Sequence, residues 1–188
     1  MSGSEAVPYV FLLRGINVGG HRKVPMAELR TALGRRGWGE VRTHLQSGNV
    51  VALHPPGDPD ELAARIAADI AAHFGFEVPV IGLDAPRLRA VAEALPFPTE
   101  GVDPRHLHVT FLSAPADPAA LAARVDPEGL PPDTYRVGDR VLYLSTPDGL
   151  GRSKLAEALA RPSVLGPDVV QTTRNLNTVR ALLALTDA

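Results

Sequence analysis

The sequence predicts an α+β protein of two β-α-β-β-α-β units with additional helices. Three observations carry that reading. Short apolar runs, too brief for helices, alternate with segments whose apolar residues recur every three or four positions. These segments follow the order strand, helix, strand, strand, helix, strand over residues 7–83, and the same order starts again near residue 105. Between the two series stand a helical segment and the breaker Pro96-Phe97-Pro98.

Residues 9–14, YVFLLR, read as a fully buried strand. Pro25 suits the first turn of a helix carrying Met26, Leu29 and Leu33, which Gly37 stops. Residues 40–46 alternate as a strand with Val41, Thr43 and Leu45 on one face. Ser47-Gly48-Asn49 supply a turn into a second strand, 48–53. Asp58 caps a long helix that runs to about Gly75, with Leu62, Ile66, Ile70 and Phe74 four residues apart. Residues 77–83 close the series as a strand, and Pro79 places it at a sheet edge.

The second series starts after a connecting helix at 86–95. It comprises a strand at 107–112, a helix at 117–125 opened by an aspartate, and a hairpin at 134–144 about Gly138-Asp139. A helix at 153–160, a strand at 168–173 and a final amphipathic helix at 176–185 complete it. This order is that of the ferredoxin-like unit. The expected organisation is a first ferredoxin-like unit at 7–83, a connecting helix and linker at 84–104, and a second unit with the C-terminal helix at 105–188.

Composition removes several function classes. The 188 residues contain no cysteine, which excludes disulfides, thiolate nucleophiles and cysteine-based zinc sites. The N-terminus lacks a charged segment followed by an apolar one, and no apolar stretch is long enough to span a bilayer. A cytoplasmic location without membrane partnership is the expectation. The formal net charge is −2, so any attraction for a polyanion has to come from a local patch.

Four stretches carry the chemistry: LLRGINVGGHRKVPMAELR, QSGNVV, GRSKL and TTRNLNTV. Together, in this order, they resemble the domain-of-unknown-function family 1697. The chain departs from that family's pattern at His44, where an aromatic is usual, and at Leu176, where a tryptophan is usual. The resemblance implies a fold and a site, and no reaction.

Read as residues, the first stretch is a glycine loop between a strand and a helix, where backbone N–H groups can cradle an anion. Gly15 and Gly20 have P-loop spacing, but His21-Arg22 stands where Lys-Ser/Thr should be, and G-x-G-x-x-G is absent. The plain alternative is a tight turn built on left-handed glycines. Arg14, Asn17, Gly19, Gly20 and Lys23 are the candidate ligand-binding residues of this loop. Gln46, Ser47 and Asn49 are those of the hairpin, where turn chemistry alone would also select Ser, Gly and Asn.

In GRSKL, Ser153 suits a helix N-cap. Arg152 and Lys154 oppose the helix dipole there unless an external anion neutralises them. In the last stretch Thr173 or Asn175 can cap the final helix, and Arg174, Asn175 and Asn177 want a further explanation. Arg152, Ser153, Lys154, Thr173, Arg174, Asn175 and Asn177 are the candidate ligand-binding residues of these two stretches. Windows 14–24, 43–49, 152–154 and 171–177 hold six bases and no acid, in a chain with 19 bases and 21 acids. Such a cation- and amide-rich set suits phosphate or carboxylate.

The expectation is therefore a small-anion-binding protein without metal or cofactor, its polar groups converging on one cleft between the repeats. Weak single-stranded nucleic-acid binding and an enzyme acting on a phosphorylated substrate, with Lys23 or Lys154 stabilising charge, are the alternatives. His106 and His108 share a strand face but lack a third ligand nearby in sequence. Ser47 with His44 or His21 lacks an orienting acid.

Overall fold

The computed structural model describes residues 5–188, which divide into one unit of residues 5–90 with 181–188 and another of residues 91–180. The first is built around β1 (Val7–Leu13). It pairs antiparallel with β3 (Asn49–His54) on one side and with β4 (Val80–Asp84) on the other, while β2 (Gly39–His44) pairs with β3. The sheet order is β2-β3-β1-β4, so strands one and three are neighbours. Every residue of β1 from Tyr9 to Leu13 is buried, as a fully apolar run requires for a strand covered on both faces.

Helices α1 (Met26–Arg35) and α2 (Pro59–Phe74) cover one face. Leu29, Leu33, Leu62, Ile66 and Ile70 pack there with Tyr9, Phe11, Leu13, Val50 and Ala52. The limits of α2 are set by chemistry visible in the sequence. Asp58 Oδ1 accepts from the Asp60 and Glu61 amides at 2.8 and 3.1 Å, and Gly75 ends the helix at φ 79°.

The second unit repeats the arrangement. Strands β5 (Leu107–Leu112), β6 (Thr134–Gly138), β7 (Val141–Ser145) and β8 (Gln171–Asn175) form an antiparallel sheet of order β6-β7-β5-β8. Helices α4 (Pro118–Arg124) and α5 (Lys154–Leu159) supply Leu121, Leu155 and Leu159 to a core with Leu112, Tyr135, Leu142 and Leu144. The remaining helices are α3 (Ala85–Glu93), the short α6 (Pro162–Leu165), which the sequence reading omits, and α7 (Leu176–Thr186). Single 3-10 turns occupy Pro104–His106 and Leu150–Arg152. Two four-stranded antiparallel sheets with helices make this an α+β protein.

Four boundaries differ from expectation, each for a local reason. Leu45 leaves β2 at φ 60° and is 58% exposed, so the hairpin loop is Leu45–Gly48 and Asn49 already belongs to β3. The second strand of the other hairpin is reached through Asp139-Arg140, not Gly138-Asp139. Gly138 pairs with Val141, and a Cβ on it would stand 2.7 Å from Val141 Cγ2 and 2.8 Å from Tyr143 Cε2. That glycine permits close approach instead of turning the chain. β4 begins after Pro79, whose carbonyl accepts the Arg14 amide at 2.9 Å. β8 begins at Gln171 because Val169 closes a turn, its amide donating to Gly166 O at 3.3 Å, and the Val170 amide donates to Ser113 Oγ at 2.8 Å in place of a backbone carbonyl.

Candidate functional site

In the first unit, β1 ends where β3 and β4 begin, since Leu12 lies opposite Asn49 and Leu13 opposite Val80. Loops 14–25 and 45–48 therefore leave the same end of the sheet. Asn17 joins them. Its Nδ2 donates to Gln46 O at 2.8 Å and to Val24 O at 3.0 Å, and its Oδ1 accepts from the Val24 amide at 2.9 Å. The side chain stands in for a strand partner on both sides, and it does so from a left-handed backbone, φ 56°. Asparagine is among the few residues that tolerate that conformation.

The glycines divide the loop's work. Gly19 and Gly20, at φ 59° and 78°, form a two-residue turn that the His21 amide closes on Val18 O at 3.2 Å. This is the mirror-image turn that tight reversals favour. Gly15, at φ 69°, lies beneath the Arg22 guanidinium, whose Nη1 would be 3.7 Å from an added Cβ. Ile16 is buried and Arg14, Arg22 and Lys23 are exposed. Among the described residues, the amides of Gly15, Ile16, Gly19 and Gly20 donate to no protein acceptor.

Gly48 seats the hairpin on this loop. Its carbonyl accepts the Leu13 amide at 2.8 Å, and a Cβ there would meet Leu13 Cβ and Ile16 Cδ1 at 2.7 Å. Asn49 is wholly buried, with Nδ2 donating to His44 O at 2.8 Å and Ser47 Oγ at 3.1 Å. Gln46 and Ser47 are exposed. Of the first-unit candidates, Asn17 and Asn49 thus build the loops, and Arg14, Lys23 and Ser47 stand at their surface.

In the second unit, Ser153 is buried and caps α5, its Oγ accepting the Ala156 amide at 2.9 Å. Asn175 caps α7, its Oδ1 accepting from the Thr178 amide at 3.0 Å and Thr178 Oγ1 at 3.1 Å. Thr173 Oγ1 lies 2.8 Å from Thr110 Oγ1 across the sheet. Arg174 is 8% exposed; its Nη1 donates to Thr172 Oγ1 at 2.7 Å and Thr173 O at 2.9 Å. Burial lowers its pKa to about 10, which leaves it charged at neutral pH. Asn177 is exposed on the first turn of α7.

Arg152 and Lys154 line a pocket of about 520 Å³ together with Asp133 and Asp148. The acid-free pattern of the sequence windows does not carry over into space here. Segment 129–133 precedes β6 and segment 146–153 follows β7; they meet because Thr134 pairs with Ser145. Sequence reasoning missed Asp133, and Pro131-Pro132-Asp133 offers no signal beyond an ordinary turn. His108 is buried beside Thr146, its Nδ1 3.4 Å from Thr146 Oγ1. Among the described residues, no group of three or more His, Asp and Glu is placed to hold a metal ion.

A family model described as "Protein of unknown function (DUF1697)" matches residues 7–143. The chain belongs to the DUF1697 family. The match takes in the glycine loop and the 46–49 hairpin and ends before GRSKL and TTRNLNTV, so those two motifs lie outside it. No curated protein matches this DUF1697 chain. Its fold is similar to the structure of the conserved bacterial protein SP0830 from Streptococcus pneumoniae. That likeness has a TM-score of 0.73 at 25% identity, over 96% of this chain and 99% of the other. No helix among the described residues is long and apolar enough to cross a membrane.

Proposed function

We propose that this DUF1697 chain binds a small phosphate- or carboxylate-bearing ligand at the joined loops of its first unit. One observation carries the reading: Asn17 holds loop 14–25 against the hairpin, so that exposed Arg14, Arg22 and Lys23 share a rigid mount with undonated backbone amides. No acid occurs between Glu5 and Glu28 or between Glu40 and Asp58, so neither loop neutralises its own cations. Left-handed residues, Gly15 and Asn17, flank Ile16, and changes of backbone hand between successive residues are what build the N–H nests that bind anions.

The nucleic-acid alternative gains nothing from the fold. Tyr9, Phe11, Phe111, Tyr135 and Tyr143 are all buried, so these strand aromatics offer no stacking face. The test is thermal unfolding in phosphate, sulfate and chloride at matched ionic strength. Phosphate raises Tm along a saturating curve, and Arg14→Ala with Lys23→Ala flattens it. Equal response to all three anions, or an unchanged response in the double variant, overturns the proposal.

A further inference from the structure

The second unit has a pocket lined by residues of the segments before β6 and after β7. Its lining divides by chemistry. Gly129, Leu130, Pro131 and Pro132 make an uncharged wall; Asp133 and Asp148 provide two carboxylates, and Arg152 and Lys154 two cations. With acids and bases equal in number, the lining has no excess charge to attract a simple anion.

Asp133 is the decisive residue. It is 9% exposed, and its amide donates to Leu130 O at 3.1 Å. Among the described residues no donor reaches its carboxylate, and no ion pair within 4.0 Å joins it to Arg152 or Lys154. A nearly buried carboxylate without a partner destabilises a fold unless a donor or cation meets it. Every fully enclosed side-chain oxygen or nitrogen among the described residues has a partner. The Asp133 oxygens are therefore not enclosed, and the open space they border is the pocket they line.

Opposite charges that line one pocket without forming an ion pair within 4.0 Å are complemented by a ligand carrying both signs. We propose that the pocket binds a small zwitterion: a protonated amine meets Asp133, an acidic group meets Arg152 and Lys154, and the carbon skeleton lies along Leu130 and the prolines. The volume of about 520 Å³ is that of a small-molecule site. The separation of charges excludes neither a carboxylate nor a phosphate as the acidic group, and the experiment distinguishes them.

The test is amide chemical-shift titration of the full-length 15N-labelled protein with L-leucine, N-acetyl-leucine, leucinamide and phosphoethanolamine. Saturable shifts at Gly129, Asp133 and Gly151 are expected with leucine if the acid is a carboxylate, and with phosphoethanolamine if it is a phosphate. Removing the amine charge or the acid charge weakens binding by about tenfold or more. Asp133→Asn removes the preference for a free amine. Because Asp133 is nearly buried, the exposed pair Arg152→Ala and Lys154→Ala gives a second reading, abolishing the preference for a free acid while the spectrum stays folded. No saturable shift up to about 10 mM, or equal binding of leucine and N-acetyl-leucine, overturns the proposal. Neither result bears on the phosphate response of the first unit, which Arg14 and Lys23 report separately.

Discussion

The Asn17 side chain donates to the Gln46 carbonyl 29 positions further along the chain, at 2.8 Å, and fastens the glycine loop to the hairpin. The same amide group closes its own loop through both polar groups of Val24. One residue thereby sets the geometry in which the neighbouring cations are presented. Its own role is mechanical, and a ligand would meet what it holds in place.

Asn17→Gly keeps access to φ 56° and loses three side-chain hydrogen bonds. It should cost about 1–3 kcal/mol in urea unfolding. Asn17→Ala should cost about 1 kcal/mol more, since alanine resists the left-handed region. Amide exchange at Asn17 and His21–Val24 should accelerate in both. Unchanged exchange there would show that the loop is held by its turn alone.

Trp38 provides a spectroscopic report on the first unit. It is the one tryptophan of the chain, is 3% exposed, and its Nε1 donates to Asp69 Oδ2 at 2.8 Å. Asp69→Ala leaves that donor without its acceptor and should cost about 1–3 kcal/mol. Asp69→Asn, which retains an amide oxygen, should cost less. The Arg36 pair to the same carboxylate, 3.5 Å long and half exposed on the arginine side, contributes little. The midpoint of the fluorescence transition measures all three.

Much of the fold was legible because it rests on local chemistry. Asp58, Asp117 and Ser153 cap the helices their positions suggest, and Gly75 stops α2. The repeated order of apolar segments yields two antiparallel sheets. Legibility fails where a residue's job is decided by a distant partner. Gly138 looks like a turn residue and is a contact residue, because Tyr143 comes close from the next strand. Asn17 looks like a spare amide, and its partner Gln46 lies in a loop that only strand pairing brings close. Asp133 was invisible for the same reason: its neighbours Arg152 and Lys154 are reached through the β6–β7 pairing.

Two glycines should respond oppositely to alanine. A Cβ on Gly82 of β4 would be driven into Pro59 O, the first residue of α2, and would also sit 3.1 Å from Ala63 Cβ. Backbone cannot yield as a side-chain tip does, so Gly82→Ala should destabilise by about 1–3 kcal/mol or more. Gly34, in α1, has nothing within 4 Å of an added Cβ. Gly34→Ala should therefore stabilise by about 0.5–1 kcal/mol through helix propensity. Calorimetry of the two variants tests the helix–sheet packing directly.

His108 should make the second unit acid-sensitive. Burial lowers its pKa below the ordinary 6.5, with a hydrogen bond donated to the His106 backbone opposing it and the nearby His106 ring adding a smaller repulsion. A folded-state value below the unfolded one means that the unfolded chain takes up the proton first as pH falls. Stability from this group is thus complete above about pH 6.5 and declines as pH drops toward its lowered value. In His108→Gln that part of the decline should vanish. Urea midpoints at pH 7.5 and 5.5 compare them, and equal slopes in both proteins would remove His108 as the cause.

Arg174 poses the question of whether a buried cation supports the fold or burdens it. Its side chain is held on β8 by Thr172 Oγ1 and Thr173 O, and burial has lowered its pKa from the ordinary guanidinium range to about 10. The shift means that desolvation penalises the charged form, while the aliphatic stem fills space that solvent does not reach. The two effects separate by substitution. Arg174→Ala removes stem and charge and leaves a void, and should cost about 2–4 kcal/mol. Arg174→Met retains most of the stem without the desolvated charge, and should recover at least half of that loss. The desolvation penalty on the guanidinium should also shrink as pH rises above about 10, because the folded protein releases its proton before the unfolded chain does and stability then rises with pH. Thermal melts at neutral pH decide between the effects: if Arg174→Met falls as far as Arg174→Ala, the guanidinium hydrogen bonds outweigh the packing, and the cation is a support.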